Sequence, residues 1–153
     1  MASRSRKQTR PTDQANLADV IGYRLRLAQL AVFRDFLDTF ASMRIKPVHY
    51  SMLRLIEANP GLKQGELARA LGIKRANMVT LVDTLEKRGL AARKSVQGDR
   101  RSYALHLTEQ GQAFTRKMQE VWTGHEARFV KLLGGPRAKQ QLIELLDRIV
   151  PLG

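Results

Sequence analysis

A chain of 153 residues, 43% hydrophobic and 27% charged, has the balance of one globular domain with room for a dimerisation element, and is too short for a large multidomain enzyme. It contains no cysteine, which excludes disulfides, thiolate zinc sites and a cysteine nucleophile and is compatible with a reducing cytoplasm. Lys and Arg outnumber Asp and Glu by 27 to 14, and the net +13 favours a polyanionic partner, either a nucleic acid or an anionic membrane surface, between which charge alone does not choose.

Residues 1–14 carry Arg4, Arg6, Lys7 and Arg10 without an apolar segment, so they read as a flexible basic arm rather than a secretory signal, with an organelle transit peptide as the alternative. From Leu17 to Met43, the residues Leu17, Ile21, Leu25, Ala28, Val32, Phe36, Phe40 and Met43 recur every three or four positions and predict one long helix. A second row, Val20, Tyr23, Leu27, Leu30, Phe33 and Leu37, makes its apolar stripe wider than a surface helix requires, which points to a dimer interface. No apolar run approaches the roughly 18 to 20 residues of a membrane span. Pro47 opens a short helix to Ala58, closed by the turn Asn59-Pro60-Gly61. Leu71-Gly72-Ile73 separates a helix over Lys63–Leu71 from one running to Arg88, which buries Met78, Leu81, Val82 and Leu85. Gly89 suits the left-handed position after that helix, with Leu90 packing back on Leu85. The period then changes to two, and Leu90–Ser95 with Ser102–Leu107 forms a two-stranded hairpin. Thr108 N-caps a helix carrying Phe114, Met118, Val121, Trp122, His125 and Phe129; Gly134-Gly135 ends it. Pro136 opens a last helix with Leu142, Leu145, Leu146, Ile149 and Val150.

Within Gln64–Asp83, Ala68 is small where two helices would cross, Gly72 suits the tight turn, and Leu67, Leu71, Ile73, Met78 and Leu81 fill the wedge of a helix-turn-helix. An unrelated pair of core helices joined by a Gly turn is the competitor. With a basic-tipped hairpin following, the fold class is mainly α with a small β-hairpin wing: a winged helix-turn-helix over residues 47–107, and a helical dimerisation region from 15–46 and 108–153. Residues 47–107 hold eleven Lys and Arg against five Asp and Glu, and Lys74, Arg75, Arg93, Lys94, Arg100 and Arg101 fall on the helix start or the wing. Asn77, Thr80, Thr84 and Lys87 lie opposite the buried row at 100° per residue. Asn77 has the amide for a bidentate contact to adenine, or else helps to cap the helix start. Thr80 suits a base edge, Ala76 a thymine methyl, and Lys74, Arg75 and Lys87 phosphates.

The segment LEKRGLAARKSVQGDRRSYALHLTEQG, Leu85 to Gly111, resembles the wing region of the MarR family of bacterial transcription regulators. Asp99 and Arg101 match its Asp-x-Arg pattern, and Leu107-Thr108 its Leu-Thr pair. The resemblance extends over roughly residues 17 to 150 and implies a triangular homodimer on a pseudo-palindromic double-stranded DNA operator, most simply a repressor released by a small effector. It also implies that Arg101 is the minor-groove arginine, with Asp99 orienting it or bracing the turn and Arg100 on the backbone. The chain departs from the family at Lys74-Arg75-Ala76-Asn77, where a Ser or Thr usually begins the recognition helix.

By the same resemblance His49 and Tyr50 open the helix that lines the effector cavity, where they bond a ligand or sit half-buried with local partners. Tyr23–Phe36 resembles the first helix of MarR-type regulators of aromatic-acid catabolism, some of which sense hydroxycinnamoyl-CoA thioesters. This implies a small aromatic ligand or its CoA thioester as partner. Phe33, Phe36 and Phe40 then offer the ring an apolar slot, and Arg24, Arg26, Arg34, Arg44 or Lys46 either face its phosphates or are solvated. Trp122 reads as core. His49, His106 and His125 lack metal-ligand spacing, and Phe129 stands where a zincin motif begun by His125-Glu126 needs its second His. With no phosphate loop or nucleophile elbow, no metal, cofactor or enzymatic activity is expected. The expected setting is the bacterial cytoplasm, on the nucleoid. The rival function is a winged-helix protein-interaction or architectural nucleic-acid-binding module without an effector.

Overall fold

The computed structural model describes residues 17–96 and 99–150, with side chains described for all of these except 99–102; the basic arm expected at 1–14 lies outside the described residues. The chain divides into two compact units, one ending at Arg34 and one beginning at Asp35.

The first unit holds a turn at Leu17 and most of helix α1 (Ile21–Thr39). The Arg24 side chain donates to the carbonyl of Ala18 at 2.5 Å and the Val20 amide to that of Leu17, which ties the turn to the helix start. Leu17, Val20, Ile21, Leu27, Leu30 and Phe33 are exposed along it.

In the second unit α1 stops at Thr39, four residues short of the expected Met43, and gives way to a 3-10 turn at Ala41–Met43 and a left-handed Arg44 (φ 49°). The correction has a packing cause. Phe40, Met43 and Ile45 are all buried. A continuing α-helix would carry Ile45 about 140° away from Phe40, whereas the tighter turn lets all three enter the core.

Helix α2 (Pro47–Ala58) follows, with His49, Met52, Leu53 and Ile56 buried at the three- and four-residue spacing of one face. Strand β1 (Leu62–Lys63), helix α3 (Gln64–Ala70), helix α4 (Arg75–Lys87), strands β2 (Ala91–Val96) and β3 (Asp99–Leu107), and helices α5 (Glu109–Leu132) and α6 (Pro136–Ile149) complete the order. The sheet is antiparallel in the order β1-β3-β2, so the expected two-stranded hairpin gains a third strand. Leu105 of β3 is paired with Leu62 on one side and Arg93 on the other. Two residues carry no alternation, which is why β1 escapes a pattern search.

Helix α3 starts without a hydroxyl cap, but Glu66 accepts from the Lys63 amide at 2.8 Å. The turn to α4 depends on Gly72, whose φ of 62° lets the amides of Gly72 and Ile73 reach back to the carbonyls of Arg69 and Ala68. At the far end of α4, Gly89 and Leu90 repeat this closure on Glu86 and Leu85, as the sequence predicts. Leu67, Met78, Val82, Leu85, Leu90 and Leu105 are almost wholly inaccessible and join α3, α4 and the sheet to Met52, Leu53 and Ile56 of α2 and Met118 of α5. Each such side chain contributes about 1.5–3 kcal/mol. Leu81 is only partly buried. Helix α6 is different: none of its residues is buried, and Leu142, Leu145 and Ile149 lie open. Among the described residues, no helix is long and apolar enough to cross a membrane.

Candidate functional site

Helix α4 is anchored by Met78, Val82 and Leu85 and leaves its other side free. Lys74, at the N-cap without a side-chain cap bond, is exposed, as are Arg75, Ala76, Asn77, Thr80 and Lys87. The structure therefore brings the cations, the amide, the hydroxyl and the methyl group expected of a base-reading helix onto one open surface. Val79, 45% exposed, belongs to it too, and its place off the buried row was the available signal. Thr84 is half-buried, and its hydroxyl is engaged within the helix, donating to the carbonyl of Thr80 at 2.9 Å. Beside the start of α4 lies an open polar cleft of about 500 Å³, lined among others by Lys63, Arg69, Arg75, Ala76, Val79 and Tyr103. Lys63 and Tyr103 stand 40 residues apart in the chain, and the pairing of β1 with β3 brings their strands together. The backbones of Asp99, Arg100 and Arg101 lie in β3, and their side chains lie outside the described residues.

Two basic residues of this lobe are committed inward. Arg88 donates to the carbonyls of Arg44 and Met43 at 2.9 and 3.0 Å and lies over the ring of Phe114 at 5.3 Å. Arg93, expected as a wing cation on the nucleic-acid side, is paired with Asp83 and Glu86 at 2.6 and 2.5 Å and is 18% exposed. A charge count over residues 47–107 cannot see this, because the carboxylates approach only when the hairpin folds back on α4.

An aromatic cluster joins α1, α2 and α5. Phe36 and Phe40 stack at 4.2 Å, Tyr50 stacks on Trp122 at 4.5 Å, and Tyr50 meets both phenylalanines edge-on. Phe36 and Phe40 are covered by protein, at 3% and 0% exposure, while Tyr50 and Trp122 are half-buried, Trp122 packing against the core as expected. His125 completes the cluster, edge-on to Phe36, Phe40 and Phe129. Its Nδ1 lies 2.6 Å from Asp35, which also accepts from Arg128 at 2.7 and 3.2 Å. The Arg128 hydrogen bonds, with His125 adding, hold the Asp35 carboxyl below the usual range against the opposing effect of burial. Burial raises the Tyr50 phenol.

His49 is buried, its Nδ1 without a partner, and desolvation followed by the charges of Arg88 and Lys46 holds its pKa below the ordinary value. Arg44 is exposed. In the first unit Phe33 and Arg26 are exposed, and Arg24 is engaged with Ala18. An open, mostly apolar groove of about 530 Å³ runs along α5 past Gln119, Trp122, Thr123, Glu126, Ala127, Val130 and Lys131. Gln119 Oε1 is buried in the helix surface with no hydrogen-bond partner. Gln119 and His125 were missed as site residues; their spacing marks a helix face, and only the fold gives them neighbours.

Comparison with known proteins agrees with this layout. Residues 45–102 match the MarR family model. The chain is 38% identical over 136 residues to a "putative transcriptional regulatory protein for hcr operon" of Thauera aromatica, covering 88% of this chain and 81% of that protein. The transcriptional repressor CouR, solved bound to a 23-mer DNA duplex, superposes with a TM-score of 0.86 at 39% identity, covering 92% of this chain and 99% of that one. CouR bound to p-coumaroyl-CoA gives 0.84 at 36% identity, covering 94% and 100%.

Proposed function

The chain belongs to the MarR family, and on that premise we propose that it is a homodimeric, sequence-specific transcription repressor of the bacterial cytoplasm, released from its operator by an aromatic acyl-CoA thioester. The observation that carries this is the open face of α4, where Lys74, Arg75, Asn77 and Thr80 remain exposed beside a polar cleft while Met78, Val82 and Leu85 are buried on the opposite face. Such a helix fits the major groove, and its exposed side supports the assignment of these side chains to the DNA. In this assignment Asn77 pairs with adenine, Thr80 reaches a base edge and Ala76 meets a thymine methyl. Lys74, Arg75 and Lys87 hold phosphates, and Arg101 enters the minor groove, with Asp99 orienting it or bracing the turn and Arg100 on the DNA backbone. Residues 47–107 form the DNA-binding lobe, and 15–46 with 108–153 the dimerisation region.

The effector assignment draws support from CouR, solved both on DNA and with p-coumaroyl-CoA, at 36–39% identity over nearly the whole chain. Since Phe36 and Phe40 are covered, the aromatic ring is assigned to the groove beside Trp122 and Tyr50, with Lys131 facing the phosphates. Release by a hundredfold corresponds to about 2.7 kcal/mol of preference for a dimer that cannot place both recognition helices.

The test is selection of a duplex from a random-sequence pool, followed by titration of the complex at fixed salt with p-coumarate and with p-coumaroyl-CoA. Release by the thioester supports the proposal, and release by neither removes the effector. Equal binding to every duplex would replace the repressor by an architectural module.

A further inference from the structure

We propose that Arg93 is a positioning residue that fixes the recognition helix against the wing and makes no contact with DNA itself. The inference rests on the DNA-binding function proposed above but names a residue outside the DNA-facing surface.

Strand β2 alternates, and Arg93 shares a face with Ala91, which is buried, and pairs across the strand with Leu105, which is wholly buried. A cation on the inward face of a wing strand must find acceptors. Arg93 finds them on two helices. Its Nη1 donates to Asp83 Oδ1 at 2.6 Å and to Glu86 Oε2 at 2.5 Å, and its Nη2 to the carbonyl of Val79 at 3.2 Å, all on α4. Its Nε donates to Gln64 Oε1 at 3.0 Å, at the first residue of α3. The Arg93 amide itself donates to the other oxygen of Glu86 at 2.8 Å. All three guanidinium nitrogens are thus engaged, on three successive turns of α4 and on the first residue of α3, while the backbone amide of Arg93 ties β2 itself to Glu86.

A planar fork of five N–H groups can serve such an array, whereas an ammonium of similar reach cannot meet all four acceptors together. The acceptors lie next to the reading surface: Val79 precedes Thr80, and Glu86 precedes Lys87. Tilting α4 relative to β2 breaks these bonds together. A helix in one groove and a wing in the next require that angle to be set before DNA arrives, because each misplaced contact loses discrimination without removing charge.

The experiment uses the full chain with Arg93→Lys, Arg93→Gln and the double substitution Asp83→Asn with Glu86→Gln. Affinity is measured at several salt concentrations for the duplex that the wild-type chain selects from a random pool, and for a scrambled duplex of equal length. Both Arg93 variants should lose discrimination between the duplexes on the order of tenfold, with the slope of affinity against salt unchanged. The double variant removes two negative charges from a DNA-binding lobe, and long-range electrostatics alone would tighten its binding. The brace requires weaker binding to the selected duplex. Wild-type discrimination in Arg93→Lys, a slope reduced by about 0.9 in Arg93→Gln as for a lost phosphate contact, or tighter selected binding in the double variant would each overturn the proposal.

If the wild-type chain selected no duplex, the DNA-binding function itself would fail. Hydrogen exchange would then judge the brace alone: faster exchange of β2 amides and the second half of α4, with α2 unchanged, supports it in Arg93→Gln and in the double variant. Exchange identical to wild type overturns it.

Discussion

The pKa of the His49 imidazole, at 6% exposure, is lowered by burial first and by the charges of Arg88 and Lys46 second. Its pKa in the fold lies below the 6.5 of a free side chain, so the unfolded chain takes up a proton first as the pH falls. The stability that His49 contributes is therefore present above about pH 6.5 and is lost as the pH drops from there through the folded value. A urea midpoint that falls between pH 7 and 5 in wild type and falls less in His49→Gln is the expected result; identical slopes would contradict it. The base contact proposed for Asn77 is tested at the same scale, on DNA. Because it is exposed, Asn77→Ala should leave the thermal midpoint nearly unchanged and cost about 1–3 kcal/mol of discrimination at one base position per half-site. Sequencing of the duplexes each protein selects checks this, and an unchanged preference removes the proposed base contact. Lys74→Ala should instead weaken all duplexes alike and flatten the salt dependence. These exposed positions were legible in the sequence, since the angle about a helix follows from spacing. The partners of Arg93 and His125 were not: Asp35 is 90 residues from His125, and nothing local marks one carboxylate among 14 as its neighbour.

Elements were legible in proportion to their length and periodicity. Helix α2 spans the predicted Pro47–Ala58, and Thr108 caps α5 by accepting from the Gly111 amide at 2.9 Å. Helix α1 was overextended because Phe40 and Met43 keep the helical period in a segment whose core demands a tighter turn. The junction between wing and α5 contains a constraint that no pattern reveals. A Cβ on Gly111 would lie 1.9 Å from the carbonyl oxygen of Leu90, so the helix meets the strand entry with only a hydrogen's clearance. The Thr108 hydroxyl completes that junction by donating to the carbonyl of Gly89. Gly111→Ala must force the two backbones apart and should cost about 3 kcal/mol, while Thr108→Ala, losing the cap, should cost about 1–2 kcal/mol. Denaturant unfolding of the three proteins checks the order, and a Gly111→Ala variant as stable as wild type would mean that α5 shifts freely against the wing.

At the scale of the molecule, the unexplained feature is apolar surface that one chain leaves open. Helix α6 buries no residue, yet Leu145 and Ile149 are 54% and 55% exposed and lie four residues apart, on one face, with Leu142 one turn earlier. The first unit adds Ile21 at 67% and Leu30 at 47%. Isolated exposed leucines need no account, but rows along two helices mark an interface, and the dyad of a palindromic operator requires a matching twofold axis. The expected species is a dimer of 17.3 kDa chains. Ile149→Asp separates this from an intramolecular role, because a side chain more than half exposed in the single chain has little core to lose there. Sedimentation should show wild type at about twice the chain mass at micromolar concentration and Ile149→Asp shifted towards the monomer with its far-ultraviolet dichroism retained. Its DNA affinity should fall with it, since two half-sites held by one dimer become two independent and weaker encounters. A wild-type monomer that still binds the selected duplex would sink the dimer, and with it the assignment of the two terminal segments to dimerisation.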